Sequence, residues 1–338
     1  MMKKWAGMLL AAASVLVIAG CGGEQAAAPQ GSAQKELSGK VVVYMPSPKG
    51  LNKAYVKGFE NKHKNVKVEL FEGTTGEILA RLATEKSNPV ADVVVLASWS
   101  DGLAFQDKNK LVSFVPANSE KMHEGWSNKE QSLFGTSASA MGVIYNKKAF
   151  ATLDADWGEL ADAKYNNVLA IPDPLKSGSC KDFLAGYVYA TDSNWTAFEG
   201  MAKNNMKVAG ANKAALEAVI TGEKGILVAG VDYNAYENIK KGEPIDIYYP
   251  KSGTVINPRP AMVLESSKNQ ANAKAFVEYM LSDEAQKMVA DAYLLPGRKD
   301  IRSEKRKNVD EIPVLKTDWL WMSKNSMTIA EKLKSLLK

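Results

Sequence analysis

Histidine and cysteine are the scarce residues, with two of each among 338. His63 lies in a charged run, Glu60-Asn61-Lys62-His63-Lys64, and His123 in a polar one, so both read as solvated side chains. There is no His-Glu-x-x-His spacing, no Gly-x-Ser-x-Gly elbow and no glycine-rich Walker loop, which excludes the common hydrolytic and phosphoryl-transfer sets. No enzyme activity, catalytic residue, metal site or cofactor is expected. Beside Cys21 the chain has only Cys180, so a fold without a disulfide must rest on its core. Cys180 stands at the start of a helical stretch, but no histidine is placed to act as its base, and it reads as a small buried residue. Charge of one sign is also lacking. The formal +5 falls to +3 once the first twenty residues, with Lys3 and Lys4, are removed, and so small a charge does not suggest nucleic acid.

Those twenty residues combine two lysines, an apolar stretch from Trp5 to Val17, and Ile18-Ala19-Gly20 running into Cys21. That is the layout of a lipoprotein signal peptide cut before Cys21, which would then carry an acyl chain such as palmitate. Residues 21–38 have no large apolar residue except Leu37 and read as a flexible tether. The expected address is extracytoplasmic, lipid-anchored to a membrane on the periplasmic or cell-surface side.

From Lys40 onward strands alternate with helices. Val41-Val42-Val43-Tyr44, Val66 to Phe71 and Asp92 to Leu96 read as strands, and Leu51 to Asn61 and Glu77 to Lys86 as helices. A second series has strands at 141–145, 168–172 and 225–229 and helices at 180–189, 233–240 and 271–281. This pattern predicts an α/β fold with a mostly parallel sheet, in two lobes with a cleft between them. Ile329, Leu333 and Leu336 lie at helical spacing and predict a terminal helix closing one lobe; Trp319 and Trp321 read as its packing residues.

Four strand ends lead through a polar or glycine-containing turn into a helix: Glu72 to Gly76, Ala97 to Asp101, Pro174 to Ser179, and Gly230 to Asp232. Beyond the carboxyl ends of parallel strands such turns line a crevice. Their free N–H groups suit a phosphate, phosphonate or carboxylate. The plainer alternative is that Thr75, Ser179 and Asp232 cap their own helices. Asp232, itself acidic, would suit a ligand amine or sugar hydroxyl.

Several segments together carry a resemblance: Gly73-Thr74-Thr75-Gly76-Glu77-Ile78-Leu79-Ala80-Arg81-Leu82, Asn88-Pro89-Val90-Ala91-Asp92-Val93, Pro172-Asp173-Pro174 with Ser177-Gly178-Ser179, Tyr249 to Thr254, Leu281 to Gln286, and Leu295 to Asp300. From about Lys40 to Ile301 the chain resembles the solute-binding proteins of bacterial ABC importers, in the branch for ferric iron, phosphonates such as 2-aminoethylphosphonate, and sugar phosphates. The resemblance implies a two-lobed type II periplasmic-binding-protein fold with a two-segment hinge near 138–145 and 246–262. Residues 39–139 would form the first part of lobe 1, 140–254 lobe 2, and 255–338 the return to lobe 1 with the C-terminal helices. It implies ligand contacts from Thr74, Thr75, Gly76, Ser98, Trp99, Ser137, Ser177, Gly178, Ser179, Asp232 and Tyr233. The partners implied are a small anionic solute and a membrane permease, with the receptor a monomer. Ferric iron is the second choice of solute: the iron-binding subgroup uses adjacent tyrosines where this chain has Asp232-Tyr233-Asn234, and the neighbours Tyr248 and Tyr249 would point to opposite faces of a strand.

Overall fold

The structure, a computed structural model, describes residues 36–108 and 111–338. The signal peptide, Cys21 and nearly all of the tether lie outside the described residues. Leu37–Lys338 forms one compact unit.

The first lobe opens with β1 (Gly39–Met45), α1 (Lys49–Lys62), β2 (Val66–Glu72), α2 (Thr75–Thr84), β3 (Val93–Val95) and α3 (Trp99–Lys108). The long strand β4 (Phe134–Asn146) carries the chain into the second lobe, built from β5 (Leu169–Ile171), α4 (Gly178–Ala190), α5 (Thr196–Lys203), β6 (Lys207–Val208), α6 (Asn212–Ile220), β7 (Ile226–Val231), α7 (Asp232–Lys240) and β8 (Ile245–Tyr248). The chain returns through β9 (Ile256–Val263) to α8 (Gln270–Met280), α9 (Asp283–Asp291), β10 (Leu295–Pro296) and the terminal α10 (Trp319–Leu336). β1 and β3 are apolar on both faces because helices cover both sides, so Val41, Val43, Val93 and Val95 pack in one cluster and Val42, Tyr44 and Val94 in another.

The strands run in the order β2-β1-β3-β9-β4-β7-β5-β6, with β8 and β10 also on β4. β1, β2 and β3 are parallel, as are β5, β6 and β7. The sheet as a whole is mixed rather than mostly parallel. β9 runs antiparallel to β3 and β4, and β4 antiparallel to β7 and β8, because the chain leaves one lobe on β4 and comes back on β9. Within β4 the partner changes from β9 at Ala140 to β7 at Met141. One strand thus belongs to both lobes, and this is where they join.

The terminal helix differs from expectation. α10 packs against both α3 and α4 rather than closing one lobe. Ser323 Oγ donates to the Ser100 carbonyl of lobe 1, and Lys334 Nζ donates to Asp173 of lobe 2. Trp319 packs against the core and Trp321 against Tyr189. The histidines differ too: both are half-buried, His63 on the Phe59 ring and His123 on Trp126, rather than freely solvated. Burial lowers the pKa of each. Cys180 is fully buried, and burial pushes its thiol up, so it stays protonated and inert.

Candidate functional site

Three of the four turns meet. Thr74, not Thr75, caps α2: its hydroxyl accepts from Glu77 N at 3.2 Å, and the Glu77 carboxylate accepts from Thr74 N at 2.7 Å. This leaves Thr75 Oγ1 to accept from Ala97 N at 3.0 Å, tying the β2–α2 turn to the end of β3. Ser177, not Ser179, caps α4 by accepting from Cys180 N. Ser179 pairs with Ser177 and Asn212 instead. The turns touch across the lobes. A Cβ on Gly76 would sit 2.8 Å from the Leu175 carbonyl, and one on Gly178 2.8 Å from Ser98 Cβ and 3.0 Å from Thr75. These glycines are there for closeness of approach.

The start of α3 is already taken. Ser98 Oγ and Trp99 N each donate at 2.8 Å to the carboxylate of Asp182, which lies on α4 in the other lobe, and Ser100 Oγ donates to it as well. Ser98 and Trp99 were expected to face a solute; they face Asp182 because it delivers a carboxylate to the same free N–H groups. Burial and the neighbouring Asp101 push Asp182 up to about 7, against the hydroxyl donors of Ser100 and Ser98 and the charge of Lys181.

The fourth turn sits at the hinge, and Asp232 needs correcting as a contact for a ligand amine. It is fully buried and paired with Arg306, from the segment after β10. Asp232 also accepts from Ala140 N at 2.9 Å and from the Tyr249 hydroxyl at 3.0 Å. The Arg306 guanidinium reaches the Tyr249 hydroxyl and lies over the Tyr236 ring. Asp232, Tyr236 and Tyr249 make a set that could suit a cation, and an arginine of the chain fills it. Tyr248 points elsewhere, donating to the Ala155 carbonyl.

What is not filled lies beside it. On paired strands β4 and β9, Ser137 faces Arg259 and Ser139 faces Asn257. Residues two apart share a face, so these four line one face at the lobe junction. Arg259 is 2% exposed with no carboxylate at ion-pair distance among the described residues. Its Nη2 donates to the Pro46 carbonyl of lobe 1 at 2.8 Å, and its guanidinium carbon stands 5.7 Å from the Tyr233 ring of lobe 2. Among the described residues its Nε has no partner; nor do Asn257 Nδ2 and Oδ1, Ser139 Oγ, or the hydroxyl of Tyr55. Burial raises the Tyr55 pKa while the charge of Arg259 pulls it down. Buried polar atoms in native proteins are almost always paired with protein or ordered water, so this cluster has hydrogen-bonding capacity, and a cation, to offer a polar ligand at the lobe junction.

Of the expected contacts, Ser137 falls on this face and Tyr233 of α7 stands near Arg259, while Thr74 to Gly76 and Ser177 to Ser179 form the touching lips. Arg259, Asn257, Ser139 and Tyr55 escaped the sequence reading. The one signal available was a charged residue inside an apolar strand, Pro258-Arg259-Pro260-Ala261-Met262.

The strand order β2-β1-β3-β9-β4, with β9 antiparallel to its neighbours and the chain crossing between two lobes on β4 and β9, is that of the type II periplasmic-binding-protein fold. The chain belongs to the bacterial extracellular solute-binding proteins, whose family model matches residues 88–325. It is 25% identical over 250 residues to a putative 2-aminoethylphosphonate-binding periplasmic protein of Salmonella typhimurium, covering 71% of this chain and 72% of that one. It is 26% identical over 305 residues to an Fe(3+)-binding periplasmic protein of Serratia marcescens, covering 83% and 81%. In fold it is similar to the periplasmic binding protein AfuA of Actinobacillus pleuropneumoniae, solved with fructose-6-phosphate, with a TM-score of 0.79 at 18% identity over 88% of this chain and 98% of that one.

Proposed function

We propose that this protein is the solute receptor of an ABC importer, that it captures a small phosphonate or sugar phosphate, and that it does no chemistry on it. The observation that carries the reading is Arg259. A buried guanidinium without a counter-ion is costly, and an oxyanion accepting from its free Nε would remove that cost. Ser137, Ser139 and Asn257 would orient the rest of the solute, with Tyr233 as the contact from lobe 2. Because lobe 1 supplies Pro46 and lobe 2 supplies Tyr233 around one arginine, a ligand there bears on both lobes and favours closure.

Ferric iron is disfavoured for a physical reason: the buried acid and tyrosine hydroxyl that would hold a cation already hold Arg306. We further propose that the lobes divide at 39–139, 140–254 and 255–338, in keeping with the change of partner within β4, that the receptor is a monomer, and that a lipid on Cys21 anchors it outside the cell.

Thermal-shift measurements against 2-aminoethylphosphonate, fructose 6-phosphate and ferric citrate test the solute, since a ligand at 100 times its Kd stabilises by ~2.7 kcal/mol. A phosphonate or sugar phosphate should raise Tm, and Arg259→Ala should remove the rise. A shift with ferric citrate alone, with visible colour, would sink the reading.

A further inference from the structure

We infer that Asp182 does from within the chain what a solute's anion would do at the start of α3: it ties lobe 2 to lobe 1 there and keeps solute anions away. The inference rests on the receptor reading above.

The carboxylate collects nearly every free donor at that terminus. Trp99 N donates to Asp182 at 2.8 Å and Ser100 N at 3.5 Å, with the hydroxyls of Ser98 and Ser100 beside them. Ser98 Oγ in turn accepts from Asp101 N at 3.0 Å. A second tie runs in the opposite electrical sense, from Lys181 of α4 to Asp101 of α3. Each lobe thus gives one acid and takes one, and Asp182 and Lys181 are both buried. Ser323 of α10 adds its bond to the Ser100 carbonyl.

Opening the cleft would return both acids to water and leave the end of α3 without its anion. The closed form on this side therefore needs no solute. Selectivity follows from the same contact: a helix terminus facing a cleft would draw any small anion, but here the position is filled, and the solute's anion is directed to Arg259. An open groove of about 890 Å³ between α2, α3 and α10 includes Asp101 and Lys181 in its lining, alongside Leu82 and Met327, but not Asp182, which is fully buried behind the contact.

The test uses full-length protein freed of carried solute by unfolding in guanidinium and refolding. Small-angle scattering should show the wild type compact without solute and Asp182→Ala with a larger radius of gyration. Sodium formate should restore compactness and raise Tm in Asp182→Ala while leaving the wild type unmoved, because only the variant has an empty carboxylate position. Identical scattering of the two proteins, or an equal response of both to formate, overturns the inference. Should Asp182→Ala fail to fold, the double variant Ser98→Ala/Ser100→Ala weakens the tie from lobe 1; it should expand likewise, and an unchanged curve refutes the tie. No solute enters this experiment, so its failure leaves the binding test at Arg259 standing, and failure of that test leaves the scattering result standing.

Discussion

Single side chains decide most of this site through charge and burial. Asp182 illustrates how the sign works. It is pushed up to about 7 in the folded protein, mainly by burial and then by Asp101, while an unfolded aspartate titrates near ~4. Between those values the native state binds more protons than the unfolded one, so this residue's contribution to stability falls as pH rises from about 4 to about 7 and is level above. The charged groups that bear on it are Asp101, which raises its pKa, and Lys181, which lowers it; the Ser98 and Ser100 hydroxyls can also accept from the protonated form. Asp182→Asn removes the titration. The Tm of wild type minus that of Asp182→Asn should decline from pH 5 to pH 7 and then flatten; a difference constant with pH would show that Asp182 does not hold its proton.

At the scale of elements, the hinge is held by a cluster around a buried ion pair that joins four stretches of chain. Asp232 at the start of α7 receives Ala140 N of β4, Tyr249 after β8, and Arg306 beyond β10. Removing one member leaves a charge buried alone, which costs roughly 3–5 kcal/mol. Arg306→Met should lower the free energy of urea unfolding by about that amount, and the double variant Arg306→Met/Asp232→Leu should recover much of it. A loss below about 1 kcal/mol in the single variant would show that the pair is not needed for the hinge. The same cluster explains why the acidic turn at Asp232 looked like a ligand contact. A strand end followed by an acidic helix start is equally suited to a solute amine and to an arginine arriving from 74 residues later, and local sequence does not distinguish them.

For the molecule as a whole, the proposed closure and the proposed anchor would act together. A receptor tethered near its permease gains effective concentration there, and one that closes without solute relies on solute affinity at Arg259 for discrimination. Among the described residues no helix is long and apolar enough to cross a membrane; the anchoring proposed is a lipid on Cys21. Wild-type protein expressed with its leader should partition with membranes, and Cys21→Ser should not be acylated; equal acylation by mass spectrometry would refute the proposed site.

The alternation of apolar strands with amphipathic helices was legible in the sequence because each element buries its own face, so β1 to β3, α1, α2, α4, α7 and α8 lie near where periodicity places them. From sequence, all four strand-end turns are expected to line one cleft; parallel strands carry the turns of each lobe to one edge, but only three of the four meet, the fourth lying at the hinge. Tertiary structure alone decided what those turns face. Asp182 meets Ser98 across 84 residues, Arg306 meets Asp232 across 74, and Arg259 has no acid at ion-pair distance among the described residues. Pairing of buried charges depends on which residues the fold brings together in space, and no local pattern records that.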